Sequence, residues 1–135
     1  WQRLEGHGLP ELPVGKIALC MSPRSSERIY ALIETGDGVP WHGEETESGE
    51  LWRSDDGGEN WRLMTHNRDL SGRSAYYSRC TVSTNDPDEV YFLAGSYSRT
   101  LDGGRTAERA SGSGGLPSPG FDHHDMWVDP TDADA

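Results

Sequence analysis

The feature that most constrains this chain is an internal repeat. "MSPRSSERIYALI" (Met21 to Ile33) and "VSTNDPDEVYFLA" (Val82 to Ala94) share one pattern: a short apolar run, a serine, a polar turn, and a second apolar run through a tyrosine. Ser22 precedes Tyr30 by the same interval as Ser83 precedes Tyr91. Further on, "WRSDDGGENWRLM" (Trp52 to Met64) aligns with "SRTLDGGRTAERA" (Ser98 to Ala110). Another copy opens at "MWVDPTDADA" (Met126 to Ala135), and Trp1-Gln2-Arg3-Leu4 matches Trp61-Arg62-Leu63-Met64, the tail of an earlier one. Such units stack, because each alone cannot bury its apolar face.

Each unit reads as four short strands. In the first they run over Lys16–Met21, Arg28–Ile33, Glu50–Arg53 and Asn60–Met64; in the second over Tyr77–Val82, Glu89–Ala94, Tyr97–Thr100 and Thr106–Glu108. Val, Ile, Leu and Tyr populate them, and Gly, Pro, Asn and Asp punctuate them. With 17 glycines, 8 prolines and only 33% hydrophobic residues, the composition suits short strands and tight turns better than a helical bundle. Four-stranded units in tandem are the pattern of β-propeller blades. The expected fold is therefore all-β, a fragment of a β-propeller with about two four-stranded blades and parts of the flanking ones. Residues 1–14 would end a preceding blade, 15–65 and 66–121 would form two blades, and 122–135 would supply the first strand of a truncated one. The alternative is a β-sandwich with an accidental internal likeness.

Ser54-Asp55-Asp56-Gly57-Gly58-Glu59-Asn60-Trp61 is the most distinctive stretch. Its two aspartates invite a calcium reading, but the further oxygen ligands of an EF-hand-like spacing are missing. A hairpin turn explains the same residues. Gly58 would supply positive φ, and Asp56 would accept backbone N–H bonds. Trp61 would bury its ring under the hairpin. Thr100, Asp102 and Gly104 take the places of Ser54, Asp56 and Gly58 in a second copy, where Ala107 replaces Trp61. These turns are expected to be structural, with no metal and no cofactor.

The net charge of −11 and pI near 4.7 describe a surface that repels nucleic acid and anionic membranes. No apolar run approaches the ~20 residues of a spanning helix. The chain opens on Trp1 without a signal peptide, so a removed or missing N-terminal portion is expected. Cys20 and Cys80 fall one position out of register on equivalent strands. Their side chains would then face opposite sides, which argues against a disulfide.

Strands alternate in direction, so the Asp-rich turns and the long connections lie at opposite ends. Three segments meet at the end away from the turns. The first is the insertion Glu34–Gly49, where Trp41 and His42 offer stacking and polar contact to a sugar, or form an acidic lid. The second, Gly72–Arg79, brings Tyr77 and Arg79 to the start of an innermost strand, where Arg79 can grip a ligand or make a salt bridge between units. The third, Gly120–Pro130, brings His123, His124 and Asp125 to the equivalent place. Alternation would put His123 and Asp125 on one side and His124 on the other, which disfavours a shared metal.

The Ser-x-Asp-x-Gly-x-x-Trp stretch resembles the Asp-box, or BNR repeat, of sialidase-like propellers. Together with "ETGDGVPW", "YYSR" and "DHHDMWVDP", it is similar to exported bacterial BNR or sortilin-like glycosyl hydrolases of the xyloglucanase-like type. That resemblance implies an extracellular or periplasmic protein acting on a glycan or polysaccharide, completed by propeller blades beyond these residues. In the xyloglucanases a catalytic Asp follows the second strand in a Tyr-Ala-x-Thr-Asp pattern; here Tyr30-Ala31-Leu32-Ile33-Glu34 puts Glu34 there. Sialidases use an arginine triad, a tyrosine and a glutamate, of which Arg79 and Tyr77 supply two residue types. A glycosidase needs two carboxylates flanking the bond, and Glu34 with Asp125 is the candidate pair. A non-catalytic propeller that binds protein or glycan is the other expectation.

Overall fold

The computed structural model describes residues 1–11, 13–36, 40–41, 44–45, 50–110, 116–117 and 120–131, with backbone alone at 40, 41, 44, 45 and 50. Ten strands follow in order: β1 (Val14–Ser22), β2 (Ser25–Thr35), β3 (Pro40–Trp41), β4 (Glu44–Glu45), β5 (Glu50–Ser54), β6 (Arg62–Thr65), β7 (Arg79–Val82), β8 (Val90–Leu93), β9 (Tyr97–Thr100) and β10 (Glu108–Arg109). A single 3-10 turn, Arg68–Leu70, links β6 to β7, and no α-helix occurs among the described residues. The fold is all-β. β1-β2-β5-β6 form one four-stranded antiparallel sheet and β7-β8-β9-β10 a second, each an up-and-down meander in chain order. The β3–β4 hairpin lies within the insertion between β2 and β5.

Period-two patterning explains which faces are buried. In β2, Tyr30 and Leu32 point to one side and Ala31 and Ile33 to the other, and all four are buried. Tyr30 and Leu32 join Ala18, Leu51, Leu70, Val82, Val90 and Phe92 in the core between the two sheets. Ala31 and Ile33 join Trp52 on the far face, where Leu9, Val14, Trp61 and Leu63 pack against them. Burial of a side chain such as Leu32 or Phe92 contributes about 1.5–3 kcal/mol. The sheets meet chiefly where β1 faces β7.

A polar cluster ties the sheets at the end of the β5–β6 turn. The Arg28 guanidinium pairs with Asp55 (2.5 Å) and with Asp88 of the β7–β8 turn. Arg53, nearly fully buried, pairs with Asp55 (3.1 Å) and donates to the Gly103 carbonyl (3.1 Å). The Tyr30 hydroxyl donates to the Pro87 carbonyl (2.7 Å). Burial alone would disfavour the charged form of Arg28. Hydrogen bonds to Tyr30 and Asp88 reverse that and hold it more firmly protonated than usual.

Two expectations change here. The stretch 122–131, expected to begin a further strand, joins no ladder among the described residues. A strand is defined by a neighbour that takes its hydrogen bonds. This segment instead docks on the second sheet: Asp122 and His123 N–H donate to the Gly95 and Ala94 carbonyls (3.1 Å each), and the Thr84 hydroxyl donates to the Asp129 carbonyl (3.1 Å). Second, Cys20 and Cys80 do not diverge. Both pack on the core between the sheets. Being on opposite faces of equivalent strands is what turns them toward each other, because stacked sheets bring unlike faces together.

Candidate functional site

The β5–β6 and β9–β10 turns repeat one hydrogen-bond network. In the first, the Ser54 hydroxyl donates to Asp56 Oδ1 (2.8 Å) and accepts from Gly58 N–H (2.9 Å). Asp56 accepts from Asn60 N–H (2.8 Å) and Asn60 Nδ2 (2.8 Å). In the second, the Thr100 hydroxyl donates to Asp102 Oδ1 (2.9 Å) and accepts from Gly104 N–H (2.9 Å). Asp102 accepts from Thr106 N–H (2.9 Å) and the Thr106 hydroxyl (2.6 Å). Thr100 thus substitutes for Ser54 without loss, since only the hydroxyl is used. Gly58 (φ +98°) and Gly104 (φ +92°) lie in the region that L side chains avoid. Trp61 Nε1 donates to the Gly58 carbonyl (2.9 Å).

These bonds set the charges. The Asn60 side chain holds the Asp56 carboxyl below its ordinary range. At Asp102 burial pushes upward, but the bonds from Thr106 and Thr100 outweigh it and the net shift is down. Both carboxylates are occupied within their own turns. Asp55, the other half of the apparent calcium pair, is engaged by Arg28, Arg53 and Arg62. The stretch is a turn and an ion-pair hub.

At the opposite end, where β1 and β7 begin, lies a cavity of about 460 Å³. Tyr77, Arg79, His123, His124 and Asp125 all line it, so five of the anticipated residues meet there. Arg79 Nη1 lies 3.8 Å from Asp125 Oδ1, with both side chains largely in solvent. The Tyr77 and His124 rings meet edge-on at 4.8 Å, and the Tyr97 and His123 rings at 6.1 Å. Burial, followed by a hydrogen bond to Asp122, raises the Tyr77 phenol above its usual value. His123 Nε2 donates to the Gly120 carbonyl (3.2 Å), which leaves the ring anchored. Among the described residues no three His, Cys, Asp or Glu side chains cluster as metal ligands. His123, His124 and Asp125 share the cavity rather than alternating across a strand, because their segment joins no ladder.

Glu34 is placed differently. It sits near the end of β2, where its carboxylate accepts the Lys16 N–H (3.1 Å), and it is not among the residues lining the cavity. Trp41 belongs to β3, with its side chain outside the described residues, and His42 lies outside them altogether. Lys16 lines the cavity and escaped notice as a site residue, although the repeat register could have found it. Aligning Ser22 with Ser83 puts Lys16 on Tyr77 and Ala18 on Arg79. The next unit puts His123 and Asp125 at those same two places. Positions that the sequence repeat aligns, from three segments, therefore line one cavity.

A scan against protein-family models returns no match for the chain. A search of the curated proteins returns none either. None of its described helical segments is long and apolar enough to cross a membrane.

Proposed function

We propose that the chain is part of an exported, carbohydrate-active β-propeller of the Asp-box type, a glycoside hydrolase whose glycan or polysaccharide substrate lies at the end away from the Asp-box turns. The observation that carries this reading is the convergence of equivalent positions from three units, Lys16, Tyr77 and Arg79, His123 and Asp125, on one cavity. In a ring of blades those positions lie around the central axis, where a ligand is reached by every unit at once. Edge-on and face-on aromatic surfaces suit sugar rings, and Arg79 suits hydroxyls or a sugar carboxylate. Ile17, Leu19 and Met21 on the outer face of β1 are 50–65% exposed, which fits a face meant for another sheet.

Asp125 is the carboxylate best placed for acid or base work. Its partner would have to stand roughly 5–5.5 Å away for retention, or ~6.5–9.5 Å for inversion. Glu34 stands outside the lining of the cavity, with one oxygen accepting the Lys16 N–H. That placement favours the second reading, a propeller that binds glycan or protein without cleaving it, for which Arg79, Tyr77 and the two histidines suffice.

The test is hydrolysis and binding across a panel of polysaccharides, using a parent chain that carries these units with their flanking blades. For the hydrolase, Asp125→Asn lowers turnover at least ~100-fold while sugar binding persists. For the binding protein, no bond is cleaved, and Arg79→Ala and Tyr77→Ala abolish retention on the glycan. If no glycan is bound or cleaved, both carbohydrate readings fail.

A further inference from the structure

The strongest unassigned feature is the pair of thiols. The sequence holds two cysteines, and they come from the first strand of each sheet, an edge strand in both. Cys20 stands opposite Tyr30 in the β1–β2 ladder, and Cys80 opposite Phe92 in the β7–β8 ladder. Tyr30 and Phe92 are both in the core between the sheets, and the two cysteines pack on that same core. β1 and β7 face each other directly. Both cysteines are half-buried free thiols on strands that face each other.

We propose that Cys20 and Cys80 are a modification site, a dithiol that closes to a disulfide and covalently staples the two sheets. Thiols on facing strands that pack on one core lie where a rotation about χ1 can bring the two sulfurs to bonding distance. The oxidant is a low-molecular-weight disulfide of the glutathione class. Cys80 lines the cavity and is the reachable thiol. Its thiolate attacks one sulfur of the reagent, forming a mixed disulfide and expelling one small thiolate. The Cys20 thiolate then attacks Cys80 Sγ, forming the Cys20–Cys80 bond and expelling the second. The two protein protons leave on the two small thiols, and the two electrons lost by the cysteines reduce the reagent. Burial, then the neighbouring Cys80, pushes the Cys20 thiol well above its ordinary range, so the closing step quickens as pH rises. The staple joins strands distant in sequence, so it restricts the unfolded chain over a long loop. It does not depend on the carbohydrate reading, because it follows from sheet stacking alone.

The experiment is a redox titration of the chain in mixtures of oxidised and reduced glutathione, once folded and once in denaturing urea. Thiols are trapped with N-ethylmaleimide and the products are mapped as peptides by mass. The expected result is a monomer lighter by two hydrogens with one linked peptide pair holding Cys20 and Cys80. Its effective concentration should be at least ~10-fold higher folded than in urea, because folding holds the thiols together. Cys20→Ser should leave Cys80 to take one glutathione in the folded chain, and Cys80→Ser should leave Cys20 to take one only in urea. A folded-to-unfolded ratio below ~10, two separate glutathione adducts, two free thiols, or links only between chains would each overturn the staple.

Discussion

Arg53→Met tests whether the sheets are held by a buried polar link as well as by apolar packing. The Arg53 side chain is 5% exposed, and its guanidinium reaches from β5 of the first sheet to the Gly103 carbonyl in the turn of the second (3.1 Å). Methionine keeps much of the stem but removes every donor. Gly103 is buried, so its carbonyl loses its partner without gaining water, a cost of about 1–3 kcal/mol. The pairs with Asp55 and Asp88 (3.1 and 3.6 Å) add little, since both carboxylates are more than 40% exposed and Asp55 keeps Arg28 and Arg62. Such screened pairs contribute about 0–1 kcal/mol. Relief from burying a charge works in the opposite direction. The net expectation is a loss of about 2 kcal/mol. Arg62→Met is the control: it removes an ion pair to the same Asp55 (2.8 Å) from a half-exposed side chain, and should cost no more than about 0.5 kcal/mol. In urea titrations the Arg53 variant should unfold about 1 M earlier at unchanged slope. If it stays within 0.5 kcal/mol of the parent, or if Arg62→Met is equally damaging, the link is not a stability determinant.

Gly104→Ala should cost about 2–4 kcal/mol, because φ is +92° and the new Cβ would stand 2.6 Å from Leu51 Cδ2 across the sheet interface. Gly57→Ala, at φ +74° with open space around it, should cost only about 1–2 kcal/mol, and equal thermal shifts for the two would refute the close-approach argument. Asp56 and Asp102 are held below the ordinary carboxylate value, so their contribution is complete above about pH 4 and disappears as pH falls through the depressed folded values. Asp102→Ala should therefore flatten the acid limb of the stability curve, and an unchanged limb would contradict the assignment. Burial, then the hydrogen bond to Glu89, pushes the Tyr91 phenol up to about 12. Its contribution is full below the unfolded value near pH 10 and is lost on rising through the folded one. Tyr30, Tyr77 and Tyr97 are also raised, but less, so ultraviolet titration should show a last-ionising phenol near 12 that vanishes in Tyr91→Phe.

Local signals were readable because they need no partner from elsewhere in the chain. The Ser22/Ser83 and Tyr30/Tyr91 spacing located β1, β2, β7 and β8, and the glycine-rich stretches located both turns, to within a few residues at each end. The turn chemistry of Ser54 with Asp56, and of Thr100 with Asp102, was also legible, since its donors and acceptors lie within six residues of one another. Arg28, Arg53 and Asp88 were not singled out, because nothing in a chain of 12 basic and 23 acidic residues marks which of them meet. The bonding of Glu34 to the β1 backbone was hidden for a similar reason: it depends on the β1–β2 register and the irregularity between Val14 and Ile17.

By itself, then, the sequence determined the strand meanders, the paired turns and the end of the sheets to which Tyr77 and Arg79 belong. Those follow from period-two burial, positive-φ glycines and strand direction, all local or repeated properties. Tertiary structure alone decided what lies between the units. It set Arg53 against Gly103, brought Tyr77, Arg79 and Asp125 around one cavity, and packed Cys20 and Cys80 on one core. The cysteines show the physical reason most simply. A strand's pattern assigns each side chain to a face, but only stacking determines which face of the neighbouring sheet that side chain meets.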